Sequence, residues 1–558
     1  MDNRPWLKLY PQGLPAECAV LQPTGLAAFN NTASSLPDNP AIHYFDGTLT
    51  YGEIDKASSS LAAGFTQMGV KKGDRIIVQL QNIPQFLIAL YGSWKVGAAV
   101  VPLNPMYKER ELAFYAKDSG ARVFVTMESC GEDARKAMQG TDVRHLITTS
   151  ELDYLHVTGE WPVVLQHSAR VHVDGATDLV ALLREYEGAC VPTTDVCPED
   201  IAYVTYTSGT TGPPKGAMNT HGNLAYACSA YRLAYHMTAE DRVLAMAPFI
   251  HVTGSSCLLA VATLVGAPVI ACFRFEPGEI LRLIEKWRAT YTNGPLTAYI
   301  SMLNHPSIRE RDLSSLHKAL SGGAPVAPGV AREFEEVTGH YLHNTYGLTE
   351  TTSPGILTPI GAKGPVDDET GALSVGVPPP GSRAKVVDSE TGADLPAGQI
   401  GEILLKGPHI VPGYWKKEEE TAKAIRDGWL YTGDVGKMDA EGWFYIVDRK
   451  KDLINVSGFK VWPREVEDVL YQNPAVGTAC VIGVPDDYRG ETVKAFVTPK
   501  RGHEDVKPED LIAFCRQRMA AYKYPRQLDI VDEIPKTASG KMLKRQLRES
   551  AGPERPAG

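Results

Sequence analysis

Tyr206-Thr207-Ser208-Gly209-Thr210-Thr211-Gly212-Pro213-Pro214-Lys215-Gly216 joins three glycines, four hydroxyl side chains and one lysine within eleven residues. It follows the apolar run 201–206 (IAYVTY), whose β-branched and aromatic residues predict a strand. Glycines let a backbone approach an anion closely and turn its N–H groups inward. Thr207, Ser208, Thr210 and Thr211 add hydroxyls, one of which can ligate a divalent cation, and Lys215 supplies a mobile positive charge for a terminal phosphate. No G-x-x-x-x-G-K-[ST] frame fits, so this is not a Walker loop. An ordinary Ser/Thr/Gly surface loop is the alternative.

Upstream, short β-branched runs alternate with helical patterns. RIIVQL (75–80), AVVPLN (99–104) and RVFVTM (122–127) read as strands; IPQFLIALYGSWKVG (83–97) and ERELAFYAKDSG (109–120) read as helices. The rhythm recurs over about 240–345. Two βαβ-type subdomains, each a parallel sheet covered by helices, follow from it. Between about 373 and 448 the pattern changes to short strands broken by Gly and Pro turns, predicting a small β-rich, barrel-like subdomain. The charge cluster Asp448-Arg449-Lys450-Lys451-Asp452 then precedes a compact α+β unit. The expected organisation is a large α/β domain over 1–448, a hinge at 449–452 and a small mobile α+β cap over 453–558.

The 558 residues carry a net charge of −10, which argues against a nucleic-acid binder and for a protein that handles small molecules. Nine scattered cysteines, with no C-x-x-C, suggest neither a disulfide framework nor a zinc ribbon and fit a reducing cytoplasm. Residues 252–273 lack charge, but Gly254, Gly266 and Pro268 interrupt them. They read as a helix and a buried strand rather than a membrane span. Transient attachment to a membrane surface and a homodimer both stay open.

Four further clusters carry chemistry. Ser321-Gly322-Gly323-Ala324-Pro325 suits a flat ring packed on backbone. Tyr346-Gly347-Leu348-Thr349-Glu350 offers an aromatic face, a hydroxyl and a carboxylate, which suit a base, a phosphate and a hard cation. By itself that pentad reads equally well as a turn with a core tyrosine. Asp434, in Thr432-Gly433-Asp434, can accept two vicinal hydroxyls or be a plain loop aspartate. Lys541, in Pro535-Lys536-Thr537-Ala538-Ser539-Gly540-Lys541, can neutralise charge where two anions meet. The alternative is a basic surface tail with Lys544, Arg545 and Arg548.

Together these runs resemble, in order and spacing, the signatures of the adenylate-forming enzymes: acyl- and aryl-CoA synthetases, firefly luciferase and the adenylation domains of peptide synthetases. The resemblance spans nearly the whole chain. It implies ATP, Mg²⁺ and coenzyme A as the small molecules bound. It implies that Tyr346 stacks on adenine, that Thr349 touches the α-phosphate, and that Glu350, with Thr207, holds the metal. Gly322, Gly323, Ala324, Asn344, Thr345 and Gly347 are implied to line the nucleotide, with Asp434 and Arg449 on the ribose. Lys541 and Lys215 are implied as the catalytic lysines beside Glu350, and Lys451 as the hinge. Ser457, Gly458 and Phe459 are implied to border the pantetheine tunnel, although many plant relatives carry lysines where this chain has Asn455 and Ser457.

The same resemblance implies ATP-dependent conversion of a carboxylic acid to an acyl-adenylate, then to an acyl-CoA. The segment around His251 and Gly254 corresponds to the acyl pocket and lacks the aspartate with which amino-acid-activating domains bind an α-amine. Residues 427–465 look most like bacterial fatty-acyl-CoA ligases, which makes a medium- or long-chain fatty acid the expected substrate. An aryl or arylalkanoic acid is the near alternative. Transfer to a carrier protein or an amine, luciferase-like oxidation and a non-enzymatic nucleotide-binding module are the remaining readings.

Overall fold

A computed structural model describes residues 4–157, 160–190, 194–207, 214–324, 326–449, 452–457, 459–486, 488–537 and 542–551. Two large sheets dominate the N-terminal part. One has seven strands, in the spatial order Thr177–Asp178, His145–Thr149, Val123–Met127, Arg75–Gln79, Ala99–Pro102, Ile201–Thr207, Lys215–Thr220. Its strands pair in parallel except for the last two, which form an antiparallel pair. The other has eight strands. Leu342–Tyr346, Lys318–Ser321, Tyr291–Gly294, Val243–Leu244, Val269–Ala271 and Pro40–Tyr44 run parallel, and Ile356–Leu357 and Gly47–Thr50 close the two edges antiparallel.

The helices between these strands begin and end where local chemistry dictates. Thr50 and Glu53 form a reciprocal capping box that starts Tyr51–Gln67. Pro84 opens Pro84–Lys95, where its missing N–H goes unneeded. Gly120, in the left-handed region at φ 62°, ends Glu109–Ser119. Their apolar faces meet in one core that joins both sheets, including Phe29, Ile54, Phe86, Tyr91, Leu224, Leu258 and Ile284, all fully or nearly fully buried. Each such side chain contributes about 1.5–3 kcal/mol relative to exposure.

The uncharged stretch 252–273 forms a helix and a strand inside this core. The helix passes from a turn at Val252–Gly254 through a π-helical segment, Ser255–Ala260, to Val261–Val265, and the strand is Val269–Ala271. Among the described residues no helix is long and apolar enough to cross a membrane.

The β-rich subdomain is an antiparallel five-stranded sheet: Arg383–Val387, Gly401–Lys406 and Trp429–Met438, with Ile425–Arg426 and Phe444–Arg449 also paired to the last. Its core takes in Trp6 from the N-terminal segment, whose ring meets Phe444 edge-on at 5.9 Å. Sequence patterning alone does not reveal that attachment.

The C-terminal unit pairs Gly490–Pro499 with Val476–Asp486, Ile454–Val456 and Gln527–Ile530, and carries a core of its own around Val461, Val466, Val481 and Val497. Among the described residues it meets the large domain through polar contacts and through Tyr471, which packs against the large core. Arg464, almost fully buried, donates to the Val326 carbonyl at 2.9 Å, and its backbone N–H donates to Asp448 at 3.1 Å. Lys500 pairs with Glu333 at 3.1 Å.

Candidate active site

The Gly-rich loop is the connection of a β-hairpin. Thr207 and Lys215 face each other across the last rung of the ladder between Ile201–Thr207 and Lys215–Thr220. Residues 208–213, and with them Ser208, Gly209, Thr210 and Thr211, lie outside the described residues. The strand beneath is anchored by Tyr206, whose hydroxyl donates to Asp118 at 2.6 Å and whose ring packs edge-on against Tyr115.

The segment 411–415 adds itself antiparallel to the second hairpin strand. The Met218 N–H donates to the Gly413 carbonyl at 3.0 Å, and the Trp415 N–H donates to the Gly216 carbonyl at 2.7 Å. This register sets Tyr414 between the hairpin and the Tyr346–Glu350 turn. The Tyr414 hydroxyl donates to Glu350 Oε1 at 2.6 Å, while the Lys215 ammonium lies 4.7 Å from the centre of the Tyr414 ring. Burial and the Glu350 carboxylate raise the Tyr414 pKa, so it stays a donor. Tyr414 thus ties Lys215 to Glu350, the expected metal carboxylate. Sequence reading missed it, because the only local signal is a Pro-Gly-Tyr-Trp turn some two hundred residues from its partner strand.

The Tyr346 turn sits at the carboxyl end of the parallel strand Leu342–Tyr346, where open α/β sheets present their ligand crevice. Its floor is held from several sides. Asn219 donates to the Thr349 carbonyl and to Thr352 Oγ1, both at 3.0 Å, and Thr352 Oγ1 in turn donates to the His409 carbonyl. Asn344 donates to the Leu373 and Ser374 carbonyls, and Thr345 to the Ser321 carbonyl. Thr352 and Ser353 both take positive φ, at 51° and 93°. That strain folds the chain back until Ser353 lies over Gly347.

A Cβ on Gly347 would stand 1.6 Å from the Ser353 oxygen. Gly347→Ala is therefore expected to cost about 3 kcal/mol of stability, the upper end of what overpacking usually costs. Thermal denaturation and loss of ATP-dependent turnover check it. Gly323→Ala is the contrasting variant: Gly323 takes positive φ, at 79°, and a Cβ there meets open space, so only backbone strain opposes it.

Gly322 and Gly323 follow the strand Lys318–Ser321, and Ala324 continues the same bend. Gly322 packs so closely that an added Cβ would reach Thr345 Oγ1 at 2.6 Å. Across the crevice, the Tyr346 hydroxyl donates to Asp434 Oδ2 at 2.6 Å, and Asp434 is almost fully buried. Asp434 pairs in register with Arg449 between the strands Trp429–Met438 and Phe444–Arg449. Four motifs far apart in sequence, carrying Gly322, Tyr346, Asp434 and Lys215, are therefore drawn together around the Tyr346–Glu350 turn. Lys451, Gly458 and Lys541 lie outside the described residues.

The expected acyl-pocket residues stand beside the π-helical segment. His251 caps the helix start and accepts from the Ser255 N–H at 2.8 Å through its carbonyl. Its Nε2 is buried with no hydrogen-bond partner, and burial pulls its pKa down to about 4. Gly254 allows the helix to touch the preceding loop, since a Cβ there would lie 2.0 Å from the Pro248 oxygen. Cys257 connects this helix to the segment that follows the Tyr346–Glu350 turn: its Sγ lies 3.4 Å from Ser353 Oγ and 3.3 Å from Asn293 Nδ2. Desolvation raises its pKa to about 11, so it is a buried polar link and not a nucleophile.

On the C-terminal unit, Ser457 is exposed at φ 53°, and its N–H donates to the Arg489 carbonyl at 2.9 Å. Phe459, 56% exposed, stacks on Tyr522 at 4.7 Å.

A crevice at the strand ends of a double α/β core, with a glycine-rich hairpin loop and a small second domain at its rim, defines a nucleotide-binding enzyme of two domains. Residues 29–415 match the family of AMP-binding enzymes, and residues 465–541 match the AMP-binding enzyme C-terminal domain. The chain belongs to the AMP-binding enzyme family. It is similar to the long-chain-fatty-acid–CoA ligase of Bacillus subtilis (strain 168), with 38% identity over 557 residues and 98% of each chain covered. It is also similar to a feruloyl-CoA synthase of Amycolatopsis sp., with 34% identity over 516 residues covering 92% of this chain and 96% of the relative. Among solved structures, ATP-bound MatB from Rhodopseudomonas palustris superposes with a TM-score of 0.83 at 29% identity, covering 95% of this chain and 99% of that one.

Proposed function

We propose that this protein is an AMP-forming acyl-CoA ligase whose acid is a long-chain fatty acid. The observation that carries the reading is that the Tyr346–Glu350 turn gathers Lys215 and Asp434: Tyr414 ties Lys215 to Glu350, and Tyr346 reaches Asp434. The substrate class is supported by the full-length similarity to the Bacillus subtilis ligase. The apolar helix behind His251, with Leu258, Leu259 and Val261 buried, supports it too.

A carboxylate is a poor acyl donor because oxide would have to leave. In the proposed first step a carboxylate oxygen attacks the α-phosphorus of ATP, and the bond to the β-phosphate oxygen breaks to release pyrophosphate. In the second step the thiol of coenzyme A, losing its proton, attacks the carbonyl carbon and AMP leaves. Bringing two anions together is the barrier, and positioning and charge neutralisation lower it. Lys215 is proposed to grip the terminal phosphates, Tyr346 to stack on adenine, and Asp434 to accept the ribose hydroxyls while steadying the Tyr346 ring. Thr207, Gly322, Gly323, Ala324, Asn344, Thr345 and Gly347 shape the nucleotide bed.

The donors fit Mg²⁺, which takes one or two carboxylates together with phosphate oxygens and water. Glu350 supplies a carboxylate oriented by Tyr414, Thr207 a hydroxyl at the hairpin end, and no cluster of three His, Cys, Asp or Glu stands among the described residues. Bound there, the metal would offset the charge of the polyphosphate. Lys541 is proposed to deliver its ammonium from the cap during the first step. A cap beginning after residue 452 is then proposed to turn about Lys451 and present Ser457, Gly458 and Phe459 to coenzyme A.

The second reading, an arylalkanoate substrate, is favoured by the similarity to the feruloyl-CoA synthase. ATP–pyrophosphate exchange driven by octanoate through stearate, cinnamate, ferulate, benzoate and amino acids tests both. The expected result is fast exchange with the long alkanoates, and CoA-dependent AMP release with the same acids. Exchange with none of them would overturn the proposal.

A further inference from the structure

The Lys215 ammonium has a second neighbour that no part of the proposed mechanism uses. Glu420 Oε2 lies 3.3 Å from Lys215 Nζ, and the other oxygen, Oε1, lies 3.2 Å from Lys423 Nζ. The two lysines, Lys423 first, hold the Glu420 carboxyl below its usual pKa. Glu420 belongs to the short helix Glu418–Ala424, which the Tyr414 N–H fixes by donating to Thr421 Oγ1 at 2.9 Å. Gly413 and Trp415 bind the same segment to the hairpin. The carboxylate is therefore mounted on the element that carries Tyr414, at a set distance from Lys215. Its pair with Lys215 is partly solvated, with side-chain exposures of 29% and 39%, and an ion pair of that kind is weak. A polyphosphate with several charges can draw the lysine away from it.

We propose that Glu420 is a positioning residue that competes with pyrophosphate for Lys215 and so hastens departure of the first product. This rests on the reading of the crevice as an ATP site. While ATP or pyrophosphate holds Lys215, Glu420 is a like charge beside the polyanion. As pyrophosphate leaves, Glu420 takes the ammonium back. Removing its charge leaves Lys215 to the polyanion with no carboxylate competing for it.

The test is titration calorimetry of pyrophosphate into the full-length protein, beside steady-state kinetics. Glu420→Gln, which keeps the shape and loses the charge, is expected to bind pyrophosphate about threefold to tenfold tighter. KM for ATP should fall in step while kcat does not rise, because the product leaves more slowly. Glu420→Asp, which keeps the charge, should restore affinity close to that of the wild type. In a Lys215→Gln background the effect of Glu420→Gln should vanish. The proposal is overturned by equal or weaker pyrophosphate binding in Glu420→Gln, by tightening that persists without Lys215, or by a wild-type protein that does not bind pyrophosphate. Tightening that depends on Lys215, in a protein that shows no exchange with any acid, would sink the acyl-CoA ligase reading and leave this one standing.

Discussion

Lys541→Ala is expected to slow acyl-adenylate formation by a factor of about 10²–10³, the usual effect of removing one group aimed at charge developing in a transition state. Thioester formation from preformed acyl-adenylate should be nearly unchanged, because that step needs no ammonium between two anions. On the proposed reading Lys215 of the large domain serves the terminal phosphates, and the ammonium that meets the incoming carboxylate is that of Lys541. Three cations that follow Lys541 in sequence are committed elsewhere. Lys544 pairs with Glu467 at 3.0 Å, and Arg548 with Asp452 at 2.7 Å. Arg545 pairs with Glu549 within the helix Lys544–Ala551. These pairs argue against a loose basic tail as the explanation of the lysines here. The flanks of the segment that carries Lys541 are joined: the Leu543 N–H donates to the Pro535 carbonyl at 2.8 Å, and Lys536 bridges to Met542. Exchange and single-turnover thioester assays on the variant separate the two half-reactions. A variant that formed adenylate at the wild-type rate and failed only with coenzyme A would refute the assignment.

Much of this architecture was legible in the residues because the local signals agree with the global fold. The strands Arg75–Gln79, Ala99–Pro102 and Val123–Met127 fall within the β-branched runs, and Gly120 ends its helix where its freedom at positive φ allows. The site motifs could be read for the same reason: Tyr346 and Lys215 each sit at a strand end, where short motifs leave a regular sheet. Asp434, expected in a turn, instead lies within the strand Trp429–Met438, beside the register shift at Val435 and Gly436; its Thr-Gly-Asp run reads as a turn only because sequence gives no sign of the pairing on both sides. Tyr414 and Glu420 were not legible. Their role depends on the segment 411–415 pairing with Lys215–Thr220, and such pairing over a long sequence separation leaves no local periodicity. The π-helical segment Ser255–Ala260 was hidden as well, because its apolar composition suits an α-helix equally. Nor does composition reveal that Trp6 completes the core of the β-rich subdomain, which follows from Gly442 letting the Trp6 backbone approach.

The protein is expected to lose stability steeply as pH falls from about 6.5 to about 4, with unfolding complete before the lower limit. Five histidines carry the effect. Burial lowers the pKa of His43, His221, His251 and His343 to about 4 and that of His409 to about 3. The unfolded chain takes up protons on these rings below about 6.5, while the folded protein does so only near 4 or lower. Their contribution is therefore complete above pH 6.5, falls as pH drops through the interval, and levels off below the folded values. Asp468 works in the opposite direction. Burial raises its pKa to about 6, so its contribution is present at low pH and lost as pH rises through 6. One carboxyl does not offset five imidazoles when each pKa unit is worth about 1.4 kcal/mol and a whole protein holds only about 5–15 kcal/mol. His409 is the sharpest probe. It is wholly buried, stacks on Tyr226 at 5.5 Å, and has no hydrogen-bond partner on either ring nitrogen. At pH 5 its ring alone should cost the fold about 2 kcal/mol relative to pH 8. His409→Leu should accordingly flatten the dependence of melting temperature on pH between 8 and 5. Parallel melting curves for variant and wild type across that range would show that the ring is protonated in the folded protein, and the acid sensitivity would then have to come from other groups.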